Sequence, residues 1–315
     1  MPGWGWRRCA SGWDRGSRPW WSGAEVAGPR IGRVAVIGAG TMGRGIAQVA
    51  AMAGHEAVLC DVDAGQLEGA LAGIRATLDK GVRLGKVADA ARDGALARLS
   101  GTGKLLEAVE GAGMVIEAVP EVMELKKRLF AEVEPAVGDR TILATNTSSL
   151  SINEMGAGLR EPGRFLGLHF FNPVHIMALV EIVRGEHTNL RALNTASWFA
   201  LGLGKEPIVV TDSPGFASSR LGIVLGLEAI RMVEARVASP EDIDKAMMLG
   251  YRHPMGPLRL TDLVGLDVRL GIARYLHESL GSEAFRPPAL LERMVAEGRL
   301  GKKSGRGFYD WDDER

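Results

Sequence analysis

Cysteine is nearly missing: the 315-residue chain has two, Cys9 and Cys60. That pair cannot supply a disulfide framework or a zinc site built on thiolates. Long apolar runs are missing too, and without about eighteen consecutive apolar residues no membrane-spanning helix is expected. Neither charge is in excess, with 38 Lys and Arg against 38 Asp and Glu. A chain of zero net charge exerts no electrostatic pull on nucleic acid or on an anionic membrane. Aromatic residues amount to only 6%, and five of the seven tryptophans (Trp4, Trp6, Trp13, Trp20, Trp21) sit close to the start. These absences predict a reduced, cytosolic, soluble protein with no metal centre.

Glycine is plentiful, with 42 residues, close to double the usual ~7%. It follows no Gly-X-Y period, so it signals tight turns and close backbone approaches. Residues 1–30 mix the tryptophans with Gly, Ser, Pro and Arg, with no period of 2 or 3.6. They also lack the apolar stretch of a secretory signal. The expectation there is a disordered tail, or upstream sequence read through because the true start lies further on.

The pattern changes at residue 33. Val34-Ala35-Val36-Ile37 reads as a buried strand, 46–53 as a helix and 56–61 as a second strand. A polar helical region over 67–99 breaks near Gly85, and strands at 114–116 and 142–144 flank a helix at 123–133. Such alternation predicts the α/β class, with a mostly parallel Rossmann-type sheet covered on both faces. The apolar segments 165–170 and 179–183 are joined by a short loop through Asn172-Pro173, which suits an antiparallel pair. A helix at 189–201 and a last strand at 207–210 precede a break at Asp212-Ser213-Pro214-Gly215. Beyond it, 221–235, 240–249, 262–280 and 288–297 read as helices. The expected domains are a tail over 1–30, a nucleotide-binding sheet domain over 31–211 and an all-helical domain over 212–315.

Gly38-x-Gly40-x-x-Gly43 follows the first strand and opens a helix. The first glycine permits the tight turn, the second lets the backbone approach a pyrophosphate, and the third lets helix and strand pack closely. Met42 lies within this loop and joins the cofactor-binding set. Phosphates then rest on the open N–H groups at the helix start. Asp61 ends the second strand eighteen residues after Gly43. A carboxylate there accepts both ribose hydroxyls and repels a 2′-phosphate, so NAD is expected rather than NADP.

His169 and Glu181 fall on the two antiparallel segments, twelve residues apart, so pairing them centres the connection near His175. An acid in an apolar strand needs a partner. A carboxylate beside a histidine fixes its tautomer and stabilises the imidazolium. Such a histidine can take the proton of an alcohol as hydride leaves the same carbon. Thr145-Asn146-Thr147-Ser148-Ser149 follows a strand end, where open α/β sheets bind ligands. Its hydroxyls and amide suit a nicotinamide ribose, a substrate oxygen, or capping of the helix from Ile152.

Taken in order, GAGTMGRGIA (38–47), EAVPE (117–121), NTSSL (146–150), HFFNPV (169–174), LVEIV (179–183), DSPGF (212–216), HPMGP (253–257), DLVGLD (262–267) and GKKSGRGFY (301–309) resemble the NAD-dependent 3-hydroxyacyl-CoA dehydrogenases. The bacterial 3-hydroxybutyryl-CoA dehydrogenases are among these. The resemblance implies a Rossmann domain followed by a helical domain that forms a homodimer. It implies reversible oxidation of an (S)-3-hydroxyacyl-CoA to the 3-ketoacyl-CoA with NAD. His169 becomes the general base, Glu181 its orienting partner, and Ser148 a hydrogen-bonding group at the substrate oxygen. Asn146, Asn172, Asp61, Glu121, Lys126 and Lys303 match cofactor-side positions, and Thr77 and Lys80 fall where the family contacts CoA. Where the family commonly has Asn, in Pro-Gly-Phe-x-x-Asn-Arg, this chain has Ser219, a substrate-side position. Two other readings stay open on sequence: a dehydrogenase of a free hydroxy acid or sugar acid of the L-gulonate type, and a non-catalytic NAD-binding protein.

Overall fold

The structure, a computed structural model, describes residues 31–311, so the expectation for residues 1–30 lies outside the described residues. β1 (Arg33–Ile37) leads through the glycine loop into α1 (Thr41–Met52), and β2 (Glu56–Cys60) follows. α2 (Ala64–Arg83) and α3 (Asp89–Ala97) form the predicted helix pair, with Gly85 at φ +66° in the connection. β3 (Leu99–Thr102), α4 (Leu105–Val109), β4 (Met114–Glu117), α5 (Met123–Val133), β5 (Ile142–Thr145) and α6 (Ile152–Gly156) continue the alternation. β6 (Phe165–Phe170), β7 (Leu179–Arg184), α7 (Leu190–Gly202) and β8 (Glu206–Thr211) complete the sheet.

The eight strands lie in the order β3-β2-β1-β4-β5-β6-β7-β8. All neighbours are parallel except β6 and β7. Alternate residues face opposite sides, as strand geometry requires. Val34 and Val36 enter the core under α1 and α2, while Ala35 and Ile37 enter the core that contains Phe130 of α5 and Met155 of α6. Burial on both faces explains why these strands read as continuous apolar runs. The order reverses at β1, and the crevice between the carboxyl ends of β1 and β4 is where such sheets bind ligands.

Beyond the sheet come α8 (Ser218–Glu234), α9 (Pro240–Lys245), a π turn (Ala246–Gly250), α10 (Pro257–Val264), α11 (Leu266–Leu280) and α12 (Ala289–Ala296). They enclose a separate core built on Ile223, Leu227, Leu258, Leu270 and Leu276. The segment expected as one helix over 262–280 is two, because Gly265 takes φ +105° between α10 and α11. Buried Asp262 and Asp244 then pin the closing segment. Asp262 accepts the N–H groups of Phe308 and Tyr309 and the Trp311 indole Nε1–H, and Asp244 accepts the Tyr309 hydroxyl. Among the described residues no helix is long and apolar enough to cross a membrane.

Candidate active site

The glycine loop is fitted to a close approach from one side only. Gly38 has φ +104°, and a Cβ there would stand 2.6 Å from the Ala118 carbonyl oxygen. A Cβ on Gly43 would stand 1.8 Å from the Gly38 oxygen. A Cβ on Gly40 would meet nothing within 4 Å, so the loop is open at that point. No side chain caps α1, which leaves its first N–H groups available to an anion. Asp61 closes the far side: Oδ2 accepts Ala39 N–H at 2.7 Å and Gln66 Nε2–H at 2.9 Å, and Oδ1 accepts Asp63 N–H at 3.0 Å. Its carboxylate therefore also braces the loop, a task the sequence did not reveal. Neighbouring Asp63 is occupied elsewhere and caps α2 through Gln66 N–H. An open helix start beside a fixed carboxylate fits a dinucleotide.

The strand pair β6–β7 places His169 directly opposite Glu181, in the register that the twelve-residue spacing predicts. His169 Nδ1 lies 2.8 Å from Glu181 Oε2, with the histidine 6% exposed and the glutamate fully buried. Glu181 also accepts Ala217 N–H (3.2 Å) and Ser218 N–H (2.8 Å) on Oε1, and the Ser218 hydroxyl (2.7 Å) on Oε2. Burial pushes this carboxyl up, but His169 and the Ser218 donors outweigh it and hold it below the usual carboxylate range. The imidazole packs against Phe171 and Phe216, at 4.4 and 5.9 Å between ring centres.

The other face of His169 lines a cleft of about 350 Å³ shared with Met42, Glu121, Asn146, Ser148 and Asn172. Asn146 Oδ1 accepts Phe170 N–H at 2.9 Å, which fixes the amide beside the histidine strand. Glu121 Oε1 accepts the Thr147 hydroxyl at 2.6 Å and Ser148 N–H at 2.9 Å, so this acid shapes the 146–150 loop. Lys126 is 1% exposed and lies between two carboxylates, 2.6 Å from Glu117 and 3.2 Å from Glu121. Its ammonium is engaged by acids. Burial would raise Glu121, yet the Lys126 charge and the Thr147 and Ser148 donors bring it below the usual range. Fully buried Glu117, not among the expected site residues, is raised by burial despite Lys126 and a 2.5 Å bond from Thr145. The signal was available: it is an acid in the apolar strand Met114–Glu117, the argument applied to Glu181.

Other expected members lie apart from this cleft. Lys303 pairs with Asp267 at the start of α11 and is not among the cleft residues. The Ser219 hydroxyl makes no hydrogen bond to another described residue; the adjacent Ser218 reaches Glu181 instead. Thr77 and Lys80 line a second, larger cavity of about 880 Å³, with Lys86, His175 and Lys205. The two hollows flank the β6–β7 loop, which supplies Asn172 to one and His175 to the other. Lys205 Nζ holds that loop through the carbonyls of Val174 (2.5 Å) and Met177 (2.8 Å).

Residues 33–213 match the model of the 3-hydroxyacyl-CoA dehydrogenase NAD binding domain, and 215–311 match that of the C-terminal domain. The chain belongs to the 3-hydroxyacyl-CoA dehydrogenase family. It is 44% identical to a 3-hydroxybutyryl-CoA dehydrogenase of Mycobacterium tuberculosis over 283 residues, covering 89% of this chain and 99% of that protein. It is 42% identical to a probable 3-hydroxybutyryl-CoA dehydrogenase of Bacillus subtilis, covering 90% and 99%. The crystal structure of the (S)-3-hydroxybutyryl-CoA dehydrogenase of Ralstonia eutropha superposes with a TM-score of 0.86 at 38% identity, covering 90% of this chain and all of that one. This 3-hydroxyacyl-CoA dehydrogenase is accordingly NAD-dependent, with its NAD binding domain over residues 33–213.

Proposed function

We propose that the chain interconverts a short (S)-3-hydroxyacyl-CoA, 3-hydroxybutyryl-CoA in the first place, and its 3-ketoacyl-CoA, with His169 as general base. One observation carries the reading: Nδ1 of His169 is committed to buried Glu181, while Nε2, with no hydrogen bond to another described residue, belongs to the ring lining the cleft. That tautomer accepts a proton from a substrate hydroxyl. Glu181 keeps its charge and offsets the imidazolium that forms. Ser148 supports the substrate oxygen from the opposite wall, and Asn146 and Asn172 border the nicotinamide side. NAD+, when bound, takes the hydride from the same carbon. Asp61 selects the unphosphorylated ribose, so NADH is expected to outperform NADPH. Asp61→Ala should narrow that preference in steady-state assays, and an unmodified enzyme indifferent to the two cofactors would overturn the assignment.

Thr77 and Lys80, in the larger cavity, suit the phosphate-bearing end of CoA. Lys86 and Lys205 add cationic groups, beside His175 and apolar Leu78 and Ile176. A second copy of the chain is the partner this reading adds. Leu221, Leu249, Tyr251, Val264 and Val268 are exposed on the helical part, apolar side chains of the kind that oligomers cover. The deciding assay follows NADH absorbance with acetoacetyl-CoA and with free acetoacetate. Turnover of the thioester alone supports the proposal, turnover of the free acid favours the hydroxy-acid reading, and turnover of neither leaves only NAD binding.

A further inference from the structure

The His169–Glu181 pair has a third polar neighbour that no motif of the sequence announces. Glu181 Oε2, the oxygen facing the imidazole, also accepts the Ser218 hydroxyl at 2.7 Å, while Oε1 accepts Ser218 N–H and Ala217 N–H at the start of α8. The backbone donors exist whatever side chain stands at 218. The hydroxyl does not: it occupies an unspecified position of the Pro-Gly-Phe-x-x-Asn-Arg pattern, next to the departure at Ser219. We propose that Ser218 is a positioning residue whose hydroxyl shares the Glu181 oxygen with His169 and thereby lowers the pH at which His169 gives up its proton.

The physical basis is competition for one oxygen. A carboxylate that already accepts three donors is a weaker acceptor for a fourth. Each donor on Oε2 draws charge away from the imidazolium, so the protonated ring is less favoured and the neutral base persists to lower pH. Few charges compete with this effect. Glu121 lies across the cleft and is held by Lys126. Arg184 ends β7 in solvent, Glu206 begins β8 in solvent, and β5 brings no charge. On α8, Arg220 turns to the Ser213 hydroxyl, and Arg269 of α11 faces α8 near Gly222. Asp212 is occupied by the Ser151 hydroxyl and Asn153 N–H.

This inference rests on His169 being the base, and the two are tested separately. The titration of His169 is followed by NMR of the imidazole nitrogens in the full chain, its signal identified by its loss in His169→Gln. Ser218→Ala should raise the midpoint, and Ser218→Thr, which keeps the hydroxyl, should restore it. The acid limb of the kcat/KM profile for 3-hydroxybutyryl-CoA oxidation should move up with it. An unchanged or lowered midpoint in Ser218→Ala overturns the proposal, as does an equal rise in the alanine and threonine forms. Full turnover by His169→Gln would instead overturn the general-base reading, without touching the titration result.

Discussion

At the scale of single residues, the site depends on where buried charges find partners. His169→Gln removes the proposed proton acceptor and should lower kcat by on the order of 10²–10⁴. Glu181→Gln should cut kcat comparably while leaving NADH affinity, read by fluorescence titration, unchanged, because Glu181 touches the imidazole and α8 rather than the glycine loop. The same substitution has a pH signature in stability. The Glu181 carboxyl is held below the usual carboxylate range when folded. Its stabilisation is therefore complete above that range and is lost as pH falls through the depressed value. Glu181→Gln should show a shallower loss of melting temperature on acidification than the unmodified protein. An equal slope in the two proteins would show that Glu181 is not a source of the acid sensitivity. Of these residues, the sequence disclosed His169 and Glu181 because a strand register is arithmetic. Ser218 stayed hidden because its partner lies thirty-seven residues earlier and the intervening helix, strand and turn decide whether they meet.

At the scale of elements, the glycine loop provides a contrast between two alanine substitutions three residues apart. At Gly43 a Cβ collides with backbone, the Gly38 carbonyl, and neither can yield cheaply. Gly43→Ala should lower the melting temperature and weaken NADH binding together. At Gly40 a Cβ enters open space. Gly40→Ala should leave the melting temperature unchanged and still weaken NADH by about tenfold, about 1.4 kcal/mol, measured by fluorescence. Intact binding in Gly40→Ala would place the cofactor elsewhere. Among the elements, strands buried on both faces were legible as apolar runs, and the helix Met123–Val133 was legible from its amphipathic pattern. β3 was not: Leu99–Thr102 is four residues, half of them exposed, at the edge of the sheet, so it carries neither a run nor an alternation. The five-residue α4 is too short for a helical period to show. The break at Gly265 was hidden by continuous helical patterning on either side.

At the scale of the whole molecule, two buried aspartates hold residues 308–311 onto the helices. Asp262 makes three hydrogen bonds to residues 308–311, and a Cβ on Gly301 or Gly307 would strike Asp262, so the closing segment is moulded around this residue. Arg259 stacks on Tyr309 and Trp311, with its guanidinium carbon 5.6 and 4.6 Å from the ring centres. Asp262→Ala leaves the buried Trp311 indole and the half-buried N–H groups of Phe308 and Tyr309 without an acceptor and should cost about 3 kcal/mol. That corresponds to a fall of roughly 6–12 °C in melting temperature. A fall of under about 2 °C would mean that water replaces the carboxylate at little cost. The GKKSGRGFY motif (301–309) was visible in the sequence, but its anchoring role was not, since Asp262 is some forty residues away.

The bonds from Ala217 and Ser218 to Glu181 also bear on when the protein becomes competent during its synthesis. The proposed dinucleotide loop and its carboxylate, from Gly38 to Asp61, are made early, and His169 and Glu181 follow. Glu181 reaches its final set of partners only after α8 has left the ribosome and settled on the sheet. A nascent chain in that interval holds a nucleotide fold and an imidazole, yet lacks the donors that keep its orienting acid ionised among apolar neighbours. With the proposed roles of His169 and Glu181, chemistry is thus withheld until the two halves of the chain have met. In a denaturant series, turnover must vanish no later than the helices part from the sheet, whatever structure the sheet still retains.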